Sequence, residues 1–135
     1  MIPVTGFNHI TLKVAKLERS LPFYIDILGM KLVHRGATDV YLEWGCAWIC
    51  LLERPSDEHG RLSASDEMGG MDHMAFSISE DDFSDAVKQL QTAGIPLVRG
   101  PIHRGGGWSV NFLDPDGIEL ELFTGTLEDR MKVWK

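Results

Sequence analysis

The sequence predicts an α+β fold built from two βαβββ modules, and two observations carry that prediction. The segment Asn8-His9-Ile10-Thr11-Leu12-Lys13-Val14 returns as Asp72-His73-Met74-Ala75-Phe76-Ser77-Ile78, each copy with one histidine near the head of an alternating strand. The glycines that end the helix of each half, Gly29 and Gly94, keep nearly the offset that separates His9 from His73. The repeat therefore extends beyond one strand to a whole supersecondary unit.

The elements follow in order. Phe7 to Val14 alternates, with Ile10, Leu12 and Val14 on one face and His9, Thr11 and Lys13 on the other. A helix follows with Leu17, Leu21, Tyr24 and Leu28 at helical spacing, in which Pro22 is expected to lie in the first turn. Strands Met30 to His34, Val40 to Trp44 and Ala47 to Leu52 complete module one, about residues 5–53. Residues 54–71 are polar and rich in Gly, Ser, Asp and Glu, which predicts either a linker or a flap over a site.

Module two, about 72–124, restarts with His73 and the apolar face Met74, Phe76 and Ile78. Ser79 and Asp82 predict an approximate capping box for a helix carrying Phe83, Val87 and Leu90. Strands Ile95 to Arg99, Ser109 to Leu113 and Ile118 to Phe123 follow, with Asp114-Pro115-Asp116-Gly117 as a turn. A short helix is expected over 126–135, with Leu127, Met131 and Trp134 on one stripe.

At 135 residues the chain suits one domain with an ordinary core. Its 13 Lys and Arg against 20 Asp and Glu give a net charge of −7, which opposes binding to nucleic acid or an anionic membrane and leaves a small molecule as the expected partner. No apolar run reaches the length of a membrane span, and the N-terminus lacks the basic region and apolar core of a signal peptide, so a cytoplasmic protein is expected. Cys46 and Cys50 sit in one apolar strand-like run and read as reduced thiols.

With a helix on one face of each sheet, the polar residues line the other. These are His9 and Thr11, His73 and Ser77, and Glu119 and Glu121 alternating with Ile118, Leu120 and Leu122. Two imidazoles at equivalent positions of a repeat, with a carboxylate on the final strand, form the donor set of an open divalent metal site. Alternation puts Glu119 and Glu121 on one face and does not choose between them.

The segments Gly6-Phe7-Asn8-His9-Ile10-Thr11-Leu12, Phe23-Tyr24-Ile25-Asp26-Ile27-Leu28-Gly29-Met30, Asp72-His73-Met74-Ala75-Phe76 and Phe112-Leu113-Asp114-Pro115-Asp116-Gly117, running into Glu119-Leu120-Glu121, resemble the vicinal oxygen chelate superfamily over essentially the whole chain. That resemblance implies a cup-shaped mixed sheet around a divalent metal, a homodimer with sites shared between chains, and metal ligands His9, His73 and Glu121. Glyoxalase I adds a Glu or Gln on the strand that here reads Ala47-Trp48-Ile49-Cys50-Leu51-Leu52, which argues against that activity. Cys50 reads either as a soft ligand or as a buried thiol.

Within the superfamily, Tyr41-Leu42-Glu43, Trp48-Ile49-Cys50-Leu51 and Gly125-Thr126-Leu127-Glu128-Asp129-Arg130-Met131 resemble the fosfomycin resistance proteins. The resemblance implies a metal, Mn(II) first, with Fe(II), Zn(II), Ni(II) or Mg(II) as alternatives, acting as a Lewis acid while water or a thiol such as glutathione opens an epoxide. It implies Thr11 beside the epoxide oxygen, Tyr41 and Trp48 as pocket walls, and Arg130 as a cation for the phosphonate. Ser109 matches a serine of the oxyanion-binding loop.

Two departures stand out. Gly100-Pro101-Ile102-His103-Arg104 replaces a segment that carries Lys in the thiol-using enzymes, and Asn111 replaces a Tyr. His103-Arg104-Gly105-Gly106-Gly107-Trp108 reads as a loop whose amides and Arg104 receive an anion, or as a merely flexible segment. Glu43 reads as a general base for hydration or as a surface residue. The alternatives in other classes are an Fe(II) extradiol-type dioxygenase, with His103 as its candidate acid/base, and a non-catalytic small-molecule binding protein. His34 and His59 read as solvent-exposed or loop residues.

Overall fold

The structure is a computed structural model and describes residues 1, 7–54, 71 and 73–133. The chain divides into two compact units, Met1–Ala64 and Ser65–Lys135. Nearly all of the predicted linker or flap lies outside the described residues, as do His59, Asp72 and Trp134.

In the first unit, β1 (Ile10–Val14) leads into α1 (Leu17–Leu21), a π-helical stretch (Pro22–Ile27), β2 (Lys31–Arg35), β3 (Asp39–Trp44) and β4 (Ala47–Glu53). The strands form a mixed sheet of order β1-β4-β3-β2, with β1 parallel to β4 and the other pairs antiparallel. Leu12, Val14, Val40, Leu42, Ile49 and Leu51 are buried on one face, together with Leu17, Leu21 and Tyr24 of the helical segment. The Leu17 amide at the start of α1 donates to Glu53 Oε2 at 2.8 Å, so β4 supplies a cap that Lys16 does not.

Pro22 departs from the expected first-turn position. It follows α1 and opens the π-helical stretch, because proline has no N–H for an α-helical bond and its ring crowds the preceding turn. Beyond it the Leu28 amide donates to Phe23 O at 3.0 Å, five residues back. The first strand is shorter than expected: Phe7, Asn8 and His9 precede the sheet, and Phe7 is exposed.

The second unit repeats the plan with β5 (Met74–Ser77), α2 (Glu80–Thr92), β6 (Leu97–Arg104), β7 (Gly107–Leu113), β8 (Glu119–Phe123) and α3 (Leu127–Val133). Its sheet order, β5-β8-β7-β6, matches that of the first unit, again with the outer pair β5 and β8 parallel. The predicted stripe Phe83, Val87 and Leu90 is buried on α2. The Ser79 hydroxyl donates to the Asp82 carboxylate at 2.8 Å and caps no backbone amide, so a side-chain pair stands in place of the expected N-cap bond. Thr126 does better for α3: its Oγ1 accepts from the Asp129 amide at 3.1 Å while donating to Asp129 Oδ2 at 3.0 Å.

The largest difference lies between 100 and 108. The predicted loop is a strand hairpin, in which Ile102, His103 and Arg104 pair with Ser109, Trp108 and Gly107. Only Gly105 and Gly106 form the turn, with φ of 66° and 87°, a backbone that residues with a Cβ rarely adopt and that suits a two-residue hairpin. Gly107 serves a different need, since a Cβ there would sit 2.5 Å from Gly125 N and 2.8 Å from Gly125 Cα. The glycine run thus shapes a turn and lets the segment before α3 lie against it.

Candidate metal and anion site

In each unit the candidate strand residues lie on the face of its own sheet opposite the buried, helix-covered face. Residues directly opposite in a ladder point to one side, so the register of the first sheet aligns Thr11, Cys50 and Tyr41, and beside them Trp48 and Glu43. Tyr41 and Trp48 are partly exposed, their rings 5.7 Å apart and nearly perpendicular. Trp48 in turn lies 4.3 Å from the His9 ring at an interplanar angle of 32°, and His34 lies 5.1 Å from Tyr41. His34 is exposed as expected, but it belongs to an aromatic row crossing from β2 to the residue before β1.

His9 Nδ1 is 2.6 Å from Asn8 Oδ1. An amide oxygen only accepts, so the Nδ1 proton belongs there and the Nε2 lone pair is left for another partner. In the sequence Asn8 carries no signal of a role of its own. Only its position beside a repeated histidine marks it. Glu43 is exposed and lies 3.9 Å from Lys31, a spacing that suits a weak surface ion pair. Cys50 is buried and Cys46 exposed, and both are free thiols.

The second unit holds a denser arrangement. His73 Nε2 is 3.0 Å from Glu121 Oε2, and the Ser109 hydroxyl donates to Glu121 Oε1 at 2.7 Å. Ser109 Oγ also lies 3.2 Å from Asn111 Oδ1, and Asn111 Nδ2 donates to Glu119 Oε2 at 3.0 Å. The register explains the grouping, since Asn111 stands opposite Glu121 across β7 and β8. His73, Ser109, Asn111 and Glu121, all named from the sequence, are therefore brought together. Glu119 joins them as a hydrogen-bond partner, a role that alternation alone did not reveal.

Arg104 and Arg130 both border the glycine turn. Arg104 is the last residue of β6, and the Arg130 side chain lies so close over Gly105 that a Cβ there would overlap its guanidinium. His103 pairs with Trp108, and the Trp108 ring lies 6.1 Å from Phe83 of α2, on the helix side of the sheet. It thus faces away from Ser109 and Asn111, which alternate with Trp108 along β7.

Among the described residues of either unit, no three His, Cys, Asp or Glu side chains gather closely enough to hold a metal by themselves. The described helices include none long and apolar enough to cross a membrane.

Known proteins give the arrangement a context. The chain is 38% identical over 133 residues to the metallothiol transferase FosB of Staphylococcus epidermidis, covering 98% of this chain and 90% of that protein. It is 36% identical over 126 residues to the glutathione transferase FosA of Serratia marcescens, covering 93% and 85%. Among solved structures, the fosfomycin resistance protein FosX from Listeria monocytogenes superposes with a TM-score of 0.77 at 25% identity, covering 98% of this chain and all of that one. A second FosX structure, complexed with Mn(II) and sulfate, gives 0.76 at 26% identity, covering 96% of this chain and 98% of that one. The model of the Glyoxalase/Bleomycin resistance protein/Dioxygenase superfamily matches residues 6–122, and the chain belongs to that superfamily.

Proposed function

We propose that this protein is a divalent-metal-dependent enzyme of the fosfomycin resistance type, opening an epoxide on a small oxyanion-bearing substrate with a thiol or water. The observation that carries the reading is the His73–Glu121 pair, with donor atoms 3.0 Å apart and the second carboxylate oxygen engaged by Ser109. Adjacent ligands of an octahedral ion with bonds of about 2.1 Å lie about 3.0 Å apart, so the pair fits a hard divalent cation such as Mn(II). His9, with Nδ1 engaged by Asn8 and Nε2 turned to other use, supplies the third donor, and His9, His73 and Glu121 are the proposed ligands. Mn(II) is the favoured ion, in keeping with the FosX complex. When bound, the metal supplies Lewis-acid polarisation of the epoxide oxygen.

The chain's own groups do the rest. The Thr11 hydroxyl, on the same face as Trp48, is the candidate hydrogen-bond donor to the epoxide oxygen, and Tyr41 and Trp48 provide an aromatic wall that keeps water from the carbon skeleton. Arg104 and Arg130 flank the hairpin turn and are the candidate cations for a phosphonate, with the Arg130 guanidinium held against Gly105. Ser109 and Asn111, grouped with Glu121, are the further candidate substrate contacts. Glu43 is the candidate base for the water reaction, on the face of Trp48. A homodimer in which each chain contributes ligands to a shared site, acting in the cytoplasm, belongs to the same proposal. The dioxygenase alternative is disfavoured because His103 faces the helix side.

The test is direct. Metal-loaded protein incubated with fosfomycin and glutathione, a second thiol or water alone is expected to consume the epoxide, followed by phosphorus NMR. No turnover under any of these conditions removes the assignment.

A further inference from the structure

We infer that Arg99 is a specificity-determining residue of the site, the strand cation that meets the anionic end of the substrate beside the His73–Glu121 pair; this rests on the reading of that pair as the place where an oxyanion-bearing substrate binds. Alternation in the sequence points the other way. Leu97 stands opposite Phe112, which is fully buried, so a regular strand would carry Arg99 to that same buried face.

Two register shifts in β6 change this. From Leu97 to Arg99 the strand advances two residues while its partner moves one, from Phe112 to Asn111. Val98 is therefore extra, and Arg99 turns to the opposite face, directly across from Asn111. A second extra residue enters between Arg99 and Ile102, so Ile102 and Arg104 follow Arg99 onto the face of Ser109 and Gly107. That second shift contains Gly100, where φ is 87° and a Cβ would overlap the Ser109 carbonyl oxygen, so the backbone there suits glycine alone. An edge strand with a shift on each side of one residue re-aims that residue.

Position then separates Arg99 from Arg104. Arg99, Asn111 and Glu121 form one row across β6, β7 and β8, so the Arg99 backbone lies two inter-strand spacings, about 10 Å, from that of Glu121. Arg104 stands opposite Gly107, four positions before Asn111, and therefore about 13 Å along the sheet from that row. Within the row Asn111 is neutral and Glu121 acidic, so the positive charge that an oxyanion needs there is that of Arg99. This charge is uncommitted: Arg99 is exposed and, among the described residues, has no ion-pair partner. Its long side chain spans the neighbouring strand, and its planar fork suits a phosphonate or carboxylate held over Asn111.

The experiment is a calorimetric titration of the Mn(II)-loaded full-length protein with methylphosphonate, an anion that carries no epoxide, with thermal melts alongside. Arg99→Ala is expected to weaken methylphosphonate binding about 10- to 100-fold, the loss of one charge-assisted contact, with neither a lower melting temperature nor weaker Mn(II) binding. Arg99→Lys, which keeps the charge without the fork, is expected to recover part of the loss, and Arg104→Ala to lose less than Arg99→Ala. Arg35→Ala is the control, since that arginine is likewise exposed but stands opposite buried Val40 on β3, and it is expected to bind as wild type. With fosfomycin, Arg99→Ala should raise KM and leave kcat nearly unchanged. Methylphosphonate affinity in Arg99→Ala equal to that of Arg35→Ala, or a larger loss in Arg104→Ala, overturns the inference. A wild-type protein that binds methylphosphonate through Arg99 but leaves fosfomycin intact removes the epoxide-opening reading and keeps this one. A wild-type protein that binds no methylphosphonate overturns this one whatever the result with fosfomycin.

Discussion

Glu121 Oε2 lies 3.0 Å from His73 Nε2 although the two residues are separated by a helix and three strands of sequence. The parallel pairing of β5 with β8 produces this, because it brings the head of the second repeat beside the final strand. The same pairing of first and last strands occurs in the other unit, where β1 lies against β4. There the residue opposite Thr11 is Cys50, and the carboxylate has no counterpart.

If His73 and Glu121 are ligands, His73→Ala and Glu121→Ala each remove a donor and should reduce metal affinity by more than the roughly 10- to 100-fold typical of residues that only orient ligands. His9→Ala should do the same. Metal content by mass spectrometry after equilibration with Mn(II) checks all three, and an unchanged content in His9→Ala would exclude that residue.

Asn8 holds the His9 ring in one tautomer through the 2.6 Å contact with Nδ1. Asn8→Leu should lower metal affinity about 10-fold, whereas Asn8→Asp, which retains the acceptor, should stay near wild type. Calorimetric titration with Mn(II) distinguishes them.

Trp48 packs on His9 and Tyr41, so Trp48→Ala is expected to raise KM and to lower kcat together, by opening the pocket wall and releasing the imidazole ring. A change confined to KM would leave Trp48 as a wall alone.

Gly107→Ala drives a methyl group into the backbone of Gly125 and should push α3 away from the hairpin. A lower melting temperature and a raised KM for the anionic substrate are expected, since Arg130 stands on that helix. Phe83→Ala, by contrast, removes a buried ring from α2 and should cost about 3–5 kcal/mol of stability, measured by denaturant unfolding, with metal affinity unaltered in the folded fraction.

Glu43 separates the two chemistries. Glu43→Gln should abolish turnover with water if that carboxylate is the base, and should leave thiol-dependent turnover intact; loss of neither marks it as the exposed partner of Lys31.

By itself the sequence determined the repeat, the order of elements and the buried faces. Periodicity is a local property, and the burial of Leu12, Val14, Phe83, Val87 and Leu90 follows from it. Alternation also put His9, His73, Glu119 and Glu121 on candidate faces, while the choice of Glu121 and the candidates Ser109 and Asn111 came from the family resemblance. Only the tertiary structure decided how they are connected. The Asn111 amide meets Glu119, and Ser109 meets Glu121, because β7 and β8 pair in one register, and register depends on long-range ladders that no short window of sequence contains. The glycine run illustrates the same limit. Its composition allowed a flexible loop, and only the pairing of Arg104 with Gly107 and the approach of Gly125 made it a two-residue turn against α3.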